Sequence, residues 1–218
     1  MDDLGDDARQ PGLADQGSAD EIERQLVAKA QSGSVDAFSV LVDTYHTGVY
    51  RIAYRMVGPQ DATDITQEIF LRALKALRRF QYQGEASFRT WLHRIAVNAC
   101  INEIRRGKRR GQVEGPSLDE SIETDDGPMT RAVPDETQSP HVLAERAEVG
   151  RAVRAIVQML TPKHRAVITL VDLEQNNYED AAAILACPVG TLKSRLARAR
   201  KQFADRWEAF ERGELSVE

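Results

Sequence analysis

The run Thr191-Leu192-Lys193-Ser194-Arg195-Leu196-Ala197-Arg198 alternates hydroxyls and cations with apolar residues at helical spacing. Short hydroxyl side chains approach phosphates and base edges closely, and arginine reaches a guanine edge or the DNA backbone with a two-pronged guanidinium. Thr191, Lys193, Ser194, Arg195, Arg198 and Lys201 share one face. Val189, Leu192, Leu196, Ala199 and Phe203 share the other, at three- and four-residue steps. A helix-turn-helix needs this division in its recognition helix, with one face packed and one presented to the major groove. The segment 188–203 also follows a short helical pattern at 178–185 and the turn Ala186-Cys187-Pro188, where Pro188 suits the first helical position. An amphipathic surface helix with solvated charges is the competing reading. The preceding helix and turn weigh against it.

Two further faces carry polar groups at helical spacing. Asp64, Gln67, Glu68, Leu71 and Arg72 form a stripe with one leucine among charges, a composition that suits a protein contact. On the residues alone, a capped helix with a solvated face is preferred there. Asn98 offers both a donor and an acceptor, and Arg94, Asn102 and Arg105 lie at three- and four-residue steps along the same side. Other candidates are weaker. His93 has no partner at metal-ligand spacing and reads as a surface or half-buried residue. Cys100 reads as a small core residue, and Cys187 lies in a turn where redox sensitivity is open. No nucleophile–base pattern or phosphate-cradling glycine loop is present, so neither catalysis, a metal nor a cofactor is expected.

Helices must position these faces. Aromatic residues make up only 6% of the 218 positions, and no strand-like run stands out. Helical spacing begins near Ile22, with Leu26 and Val27 following. It continues over 35–57 through Phe38, Leu41, Val42, Tyr45, Val49, Ile52 and Met56. Gly58-Pro59 ends that helix, and Asp61 is expected to cap a third whose core face is Ile65, Ile69, Ala73 and Leu77, widened by Phe70 and Leu74. A loop at 81–85 leads to a fourth helix over 86–106 buried through Phe88, Leu92, Ile95 and Ala99, with Trp91 in the core. Further helices are expected at 142–159, at 162–173 behind Thr161-Pro162, and at 189–210.

The net charge of −5 conceals a segregation. Residues 1–20 hold six acids and one base, residues 111–145 nine acids and one base, and the remainder carries +8. Attraction to phosphates is local, screened within about 8–10 Å at physiological salt, so the basic blocks count separately from the acidic ones. The expectation is an all-α chain of two helical domains joined by an acidic flexible linker. Its divisions are a disordered extension at 1–20, a domain at 21–110, a linker at 111–140, a helix-turn-helix domain at 141–210 and a tail at 211–218. The absence of a membrane-spanning run, the acidic N-terminus and two distant cysteines point to a cytoplasmic protein.

The run Tyr178-Glu179-Asp180 through Cys187-Pro188-Val189-Gly190-Thr191-Leu192-Lys193-Ser194-Arg195-Leu196-Ala197-Arg198-Ala199-Arg200 resembles region four of the extracytoplasmic-function sigma factors. These two-domain members of the sigma-70 family are promoter-recognition subunits of bacterial RNA polymerase. Ala181 stands where the family usually has a larger aliphatic residue, and Ala186 where it often has Gly. Asp61-Ala62-Thr63-Asp64-Ile65-Thr66-Gln67-Glu68-Ile69-Phe70 and the stretch 88–98 both resemble region two. The resemblance implies that Asp64, Gln67, Glu68, Leu71 and Arg72 grip core polymerase. It also implies that Arg94, Asn98, Asn102 and Arg105 read a downstream, −10-type element, with Phe80, Tyr82 and Ile95 lining a pocket for an unstacked base. Such extrusion costs about a few kcal/mol, which a snug pocket must offset.

The upstream, −35-type element falls to Thr191, Lys193, Ser194, Arg195 and Arg198. Core RNA polymerase, promoter DNA and an anti-sigma factor are the implied partners, with weak DNA binding expected of the isolated chain. The alternatives are a helix-turn-helix regulator that is not a polymerase subunit, and an adaptor that binds only proteins.

Overall fold

The computed structural model describes the backbone of residues 13–81, 87–113 and 140–216, and the side chains of residues 20–81, 87–107 and 146–216. Among the described residues there are helices and turns and no strand. The N-terminal half contains α1 (Leu13–Gln31), α2 (Val35–Val57), α3 (Pro59–Leu77) and α4 (Phe88–Val113). The C-terminal half contains α5 (Pro140–Gln158), α6 (Pro162–Ile168), a π-helical turn (Thr169–Leu173), α7 (Tyr178–Ile184) and α8 (Val189–Glu211).

Local chemistry sets most of these ends. Gly33, at φ +103°, closes α1 in the left-handed region that glycine enters without strain, and Ser34 then caps α2 by accepting from the Ala37 amide. Gly58, at φ +95°, turns α2 into α3, and Pro59 opens α3 at the position where its missing N–H costs nothing. Asp61 therefore lies in the first turn of α3 and is not its cap: the proline sets the start two residues earlier. Thr161 caps α6 by accepting from the His164 amide, with Pro162 next. Asn177 caps α7 by accepting from the Asp180 amide at 2.7 Å.

The expected single helix over 162–173 is instead α6 followed by a π turn, in which the Glu174 amide donates to the Thr169 carbonyl five residues back. Gln175, at φ 54°, then reverses the chain. Other differences lie at element ends. Helix α1 includes residues 13–20, which charge and composition assigned to a disordered extension. Helix α4 starts two residues late and continues to Val113. Most of the expected linker, with the loop residues 82–86, lies outside the described residues.

The expected apolar stripes form the core. Leu41, Val49, Ile52, Met56, Ile65, Ile69, Ala73, Leu77, Phe88, Leu92 and Ala99 are buried, with Phe38, Val42 and Tyr45 packed at the edge. Ile22 and Leu74 differ, at 56% and 45% exposed. The two halves share this core: Val157, Leu160, Val167, Leu170 and Ile184 join the cluster that holds Ile52, Met56 and Cys100. Arg165 is the polar centre of that junction. It is buried on α6 and donates to the Met56 carbonyl at the end of α2 and to the Gln158 and Leu160 carbonyls at the end of α5. One cation thus satisfies carbonyls at two helix C-termini, the end of the dipole that favours positive charge. Burial lowers its pKa to about 10, still far above neutrality.

Candidate nucleic-acid interface

In α8 the two faces separate as the spacing requires. Leu192, Leu196 and Ala199 are buried, with Val189 and Phe203 half-buried beside them. Truncating either leucine would remove about 2–5 kcal/mol of stability. Thr191, Lys193, Ser194, Arg198 and Lys201 are exposed, and Arg195 is half-buried. The Ser194 hydroxyl donates to the Thr191 carbonyl at 3.0 Å, and the Lys193 ammonium sits 5.5 Å from the Tyr178 ring centroid on α7. Arg200 points elsewhere: a bidentate bond to Asp172, at 2.5 and 3.1 Å, raises its pKa and ties α8 to the π turn. The turn before α8 places Ala186 at φ 49°, a left-handed conformation in which a Cβ is strained. Cys187 is half-buried.

On α4 the candidates divide. Asn98, Asn102 and Arg105 are exposed along one side. Arg94 is half-buried, and its guanidinium donates to the Ala183 carbonyl on α7 at 2.6 Å. Ile95 is half-buried. Phe80, read as a pocket lining, is 7% exposed and packs edge-on to Phe88 at 5.7 Å and against Trp91 at 4.8 Å. Its carbonyl accepts from Gln31, which fixes the end of α3 against α1. Tyr82 lies outside the described residues. His93 corrects the expectation of a surface or half-buried residue. It is 4% exposed, and burial together with Arg89 and Arg51 lowers its pKa to about 4, so it is neutral near pH 7. Cys100 is fully buried, which pushes its thiol up to about 12 and makes it unreactive.

The α3 stripe faces outward. Asp64, Gln67 and Leu71 are exposed, Leu71 by 57%, while Glu68 and Arg72 are half-buried and paired at 2.7 Å. Leu74 extends the apolar part by one turn; its three-residue step from Leu71 was the available signal.

Sequence reasoning missed Arg51, Arg55 and Arg89. Glu174 bridges the first two, at 3.0 Å to Arg51 and 2.6 Å to Arg55, and Arg89 donates to Asn176 Oδ1 at 3.1 Å. The four-residue step from Arg51 to Arg55 was visible, but nothing local indicates what they face. Among the described residues no three His, Cys, Asp or Glu side chains gather as metal ligands, and no helix is long and apolar enough to cross a membrane.

An exposed basic face on α8, a polar face on α4 and an outward face on α3 that mixes charges with one leucine suit a protein that binds nucleic acid and another protein. Comparison with known proteins agrees. Sigma-70 region 2 matches residues 41–110 and Sigma-70, region 4 matches residues 150–203. The ECF RNA polymerase sigma-E factor of Escherichia coli K12 is 37% identical over 177 residues, covering 81% of this chain and 89% of its own. The RNA polymerase sigma-H factor of Pseudomonas aeruginosa is 34% identical over 183 residues, covering 83% and 91%. Among solved structures, CnrH in complex with the cytosolic domain of CnrY aligns with a TM-score of 0.59 at 25% identity, over 86% of this chain and 98% of that one. The chain belongs to the extracytoplasmic-function sigma factors of the sigma-70 family. It is an alternative sigma factor, acting with core RNA polymerase in transcription initiation.

Proposed function

We propose that three helical faces divide the work of initiation. Thr191, Lys193, Ser194, Arg195 and Arg198 on α8 enter the major groove of an upstream, −35-type element, where arginine contacts give base discrimination. Arg94, Asn98, Asn102 and Arg105 on α4 engage a downstream, −10-type element, with Ile95, Phe80 and Tyr82 beside the extruded base. Because Phe80 is buried against Phe88 and Trp91, it serves there as the wall behind the pocket. Asp64, Gln67, Glu68, Leu71 and Arg72 on α3 dock on core polymerase. The single observation that carries this reading is the joint exposure of Thr191, Lys193, Ser194 and Arg198 on α8, of Asn98, Asn102 and Arg105 on α4, and of Leu71 on a third helix.

The corresponding divisions are 21–110 for polymerase and downstream contacts, 141–210 for the upstream contact, and 1–20, 111–140 and 211–218 as extension, linker and tail. The protein acts by binding, not as an enzyme: contacts with polymerase and DNA supply the free energy for opening the duplex. Its place is the cytoplasm. An anti-sigma factor is the further partner that membership of the family implies.

Reconstituted transcription tests the assignments. Core polymerase should initiate at a cognate promoter only when this chain is added. Glu68→Ala with Leu71→Ala should reduce co-purification with core polymerase while leaving duplex binding intact. Normal initiation from that double variant would remove α3 from the polymerase interface.

A further inference from the structure

Helix α3 ends without the glycine that closes α1 and α2. Its C-cap, Arg78, is still right-handed helical, and the next glycine in the sequence is Gly84. The last carbonyls of a helix have no partner within it and need one from outside. Gln31, half-buried in the last turn of α1, supplies it. Its side-chain amide nitrogen carries two N–H groups and donates to two carbonyls, Leu77 at 3.1 Å and Phe80 at 2.7 Å. The Phe80 amide also donates to the Leu77 carbonyl at 2.9 Å, so the turn at 77–80 is fixed by α1 as well as by its own backbone.

These bonds hold an aromatic side chain in place. Phe80 is buried, its ring centroid 4.8 Å from that of Trp91 and 5.7 Å from that of Phe88, with Phe88 and Trp91 5.3 Å apart. A second tie from α1 reaches the same cluster: the Tyr45 hydroxyl donates to Glu23, and the Tyr45 ring lies 5.5 Å from Phe88. Trp91 is half-buried on α4, one turn before Ile95, and Asn98 follows a turn further on. The cluster therefore links α1 to the part of α4 that carries the downstream stripe. Helix α1 itself packs mainly on α2 and precedes the residues 41–110 that match Sigma-70 region 2.

A pocket for one unstacked base works by fit, and a wall misplaced by about 1 Å loses much of its effect. Such precision requires that the lining residues be locked by hydrogen bonds behind them. The Phe80 ring has no polar atom with which to fix itself, so its place follows from its packing and from the backbone that carries it. We propose that Gln31 is a positioning residue for base recognition. By holding the Leu77 and Phe80 carbonyls it sets the Phe80 ring against Trp91, and with it the shape of the pocket that discriminates the extruded base. Gln31 acts through Phe80 and touches no DNA itself. This inference rests on the reading of α4, Ile95 and Phe80 as the downstream contact.

The test uses the full chain with core polymerase. Gln31→Leu keeps the size of the side chain and removes both N–H donors. Ser34→Ala deletes the bond that caps α2 and leaves the Leu77 and Phe80 carbonyls alone, so it controls for a general loosening of the α1–α2 junction. Initiation is compared on cognate promoters that carry each of the four bases at every position of the downstream element. Gln31→Leu should narrow the largest ratio between best and poorest base by about fivefold, a loss of selectivity and not of binding. Co-purification with core polymerase should be unchanged, and Ser34→Ala should leave the ratio as it is. In a Trp207→Phe background Trp91 is the one remaining tryptophan, and its quenching by acrylamide should rise for Gln31→Leu alone. An unchanged ratio for Gln31→Leu, or an equal loss for Ser34→Ala, would overturn the role in base reading. Unchanged quenching would overturn the positioning of the cluster. A wild-type chain without base preference would instead overturn the downstream reading, and the quenching comparison would still decide whether Gln31 holds Phe80 against Trp91.

Discussion

The recognition face of α8 and the polar face of α4 were equally plain as periodic patterns, yet the folded chain treats them differently. On α8, four of the five candidate side chains are exposed, and the helix rests on a local platform of α6 and α7. On α4, Asn98, Asn102 and Arg105 are open, but Arg94 is spent on the Ala183 carbonyl and Phe80 is sealed in an aromatic cluster. Periodicity says which side of a helix is polar. It does not say whether that side faces water, a ligand or the rest of the chain.

Removing Arg165 would disturb this contrast most. Arg165→Ala strips the shared cation from carbonyls of α2 and α5 and should cost about 3 kcal/mol, since bonds to charged groups exceed neutral ones. Thermal unfolding measures it, and an unchanged midpoint would show that the junction contributes nothing. Acid should act next, through His93. Its folded pKa of about 4 lies below the ordinary 6.5, so the unfolded chain takes up the proton first as pH falls. Stability should therefore decline between about pH 6.5 and pH 4 by up to about 3 kcal/mol and level off below. His93→Gln should flatten that part of the curve; an unaltered slope would place the pH dependence elsewhere.

A direct comparison of the faces comes from two arginines. Arg198→Ala should weaken duplex binding by the free chain about tenfold, within the 1–3 kcal/mol of a good base contact. Arg94→Ala should change it less than twofold, because that guanidinium is already engaged. Equal losses would mean that both faces are open in solution. The smallest effect concerns the turn before α8. Ala186→Gly should stabilise the chain by about 1 kcal/mol in denaturant unfolding by relieving the left-handed strain at φ 49°. A loss of stability would mean that the lower backbone entropy of the unfolded alanine outweighs the strain.

Much of this was legible without coordinates because it is local. Gly58-Pro59 ends α2 and Thr161-Pro162 starts α6, each acting within one turn, whereas Pro59 and not Asp61 opens α3, and Pro188, expected as the first residue of α8, is its N-cap. The apolar stripes of α2, α3, α4 and α8 follow from residue spacing alone, and with them the two polar faces and the outward Leu71. The π turn at Thr169–Leu173 was not legible, because a five-residue hydrogen bond leaves the apolar pattern almost unchanged. The exposure of Leu74 and the burial of Phe80 and His93 were also hidden, since each depends on which neighbour arrives to cover the residue.

The packed stripe of α8 and the polar face opposite it were thus settled by the order of residues, since side-chain spacing on a helix is a property of the helix itself. Tertiary structure alone decided what the arginines meet. Arg94 finds a carbonyl 89 residues away, Arg165 one 109 residues away, and Arg51 a carboxylate 123 residues away. Patterns of three and four residues carry no information over such separations.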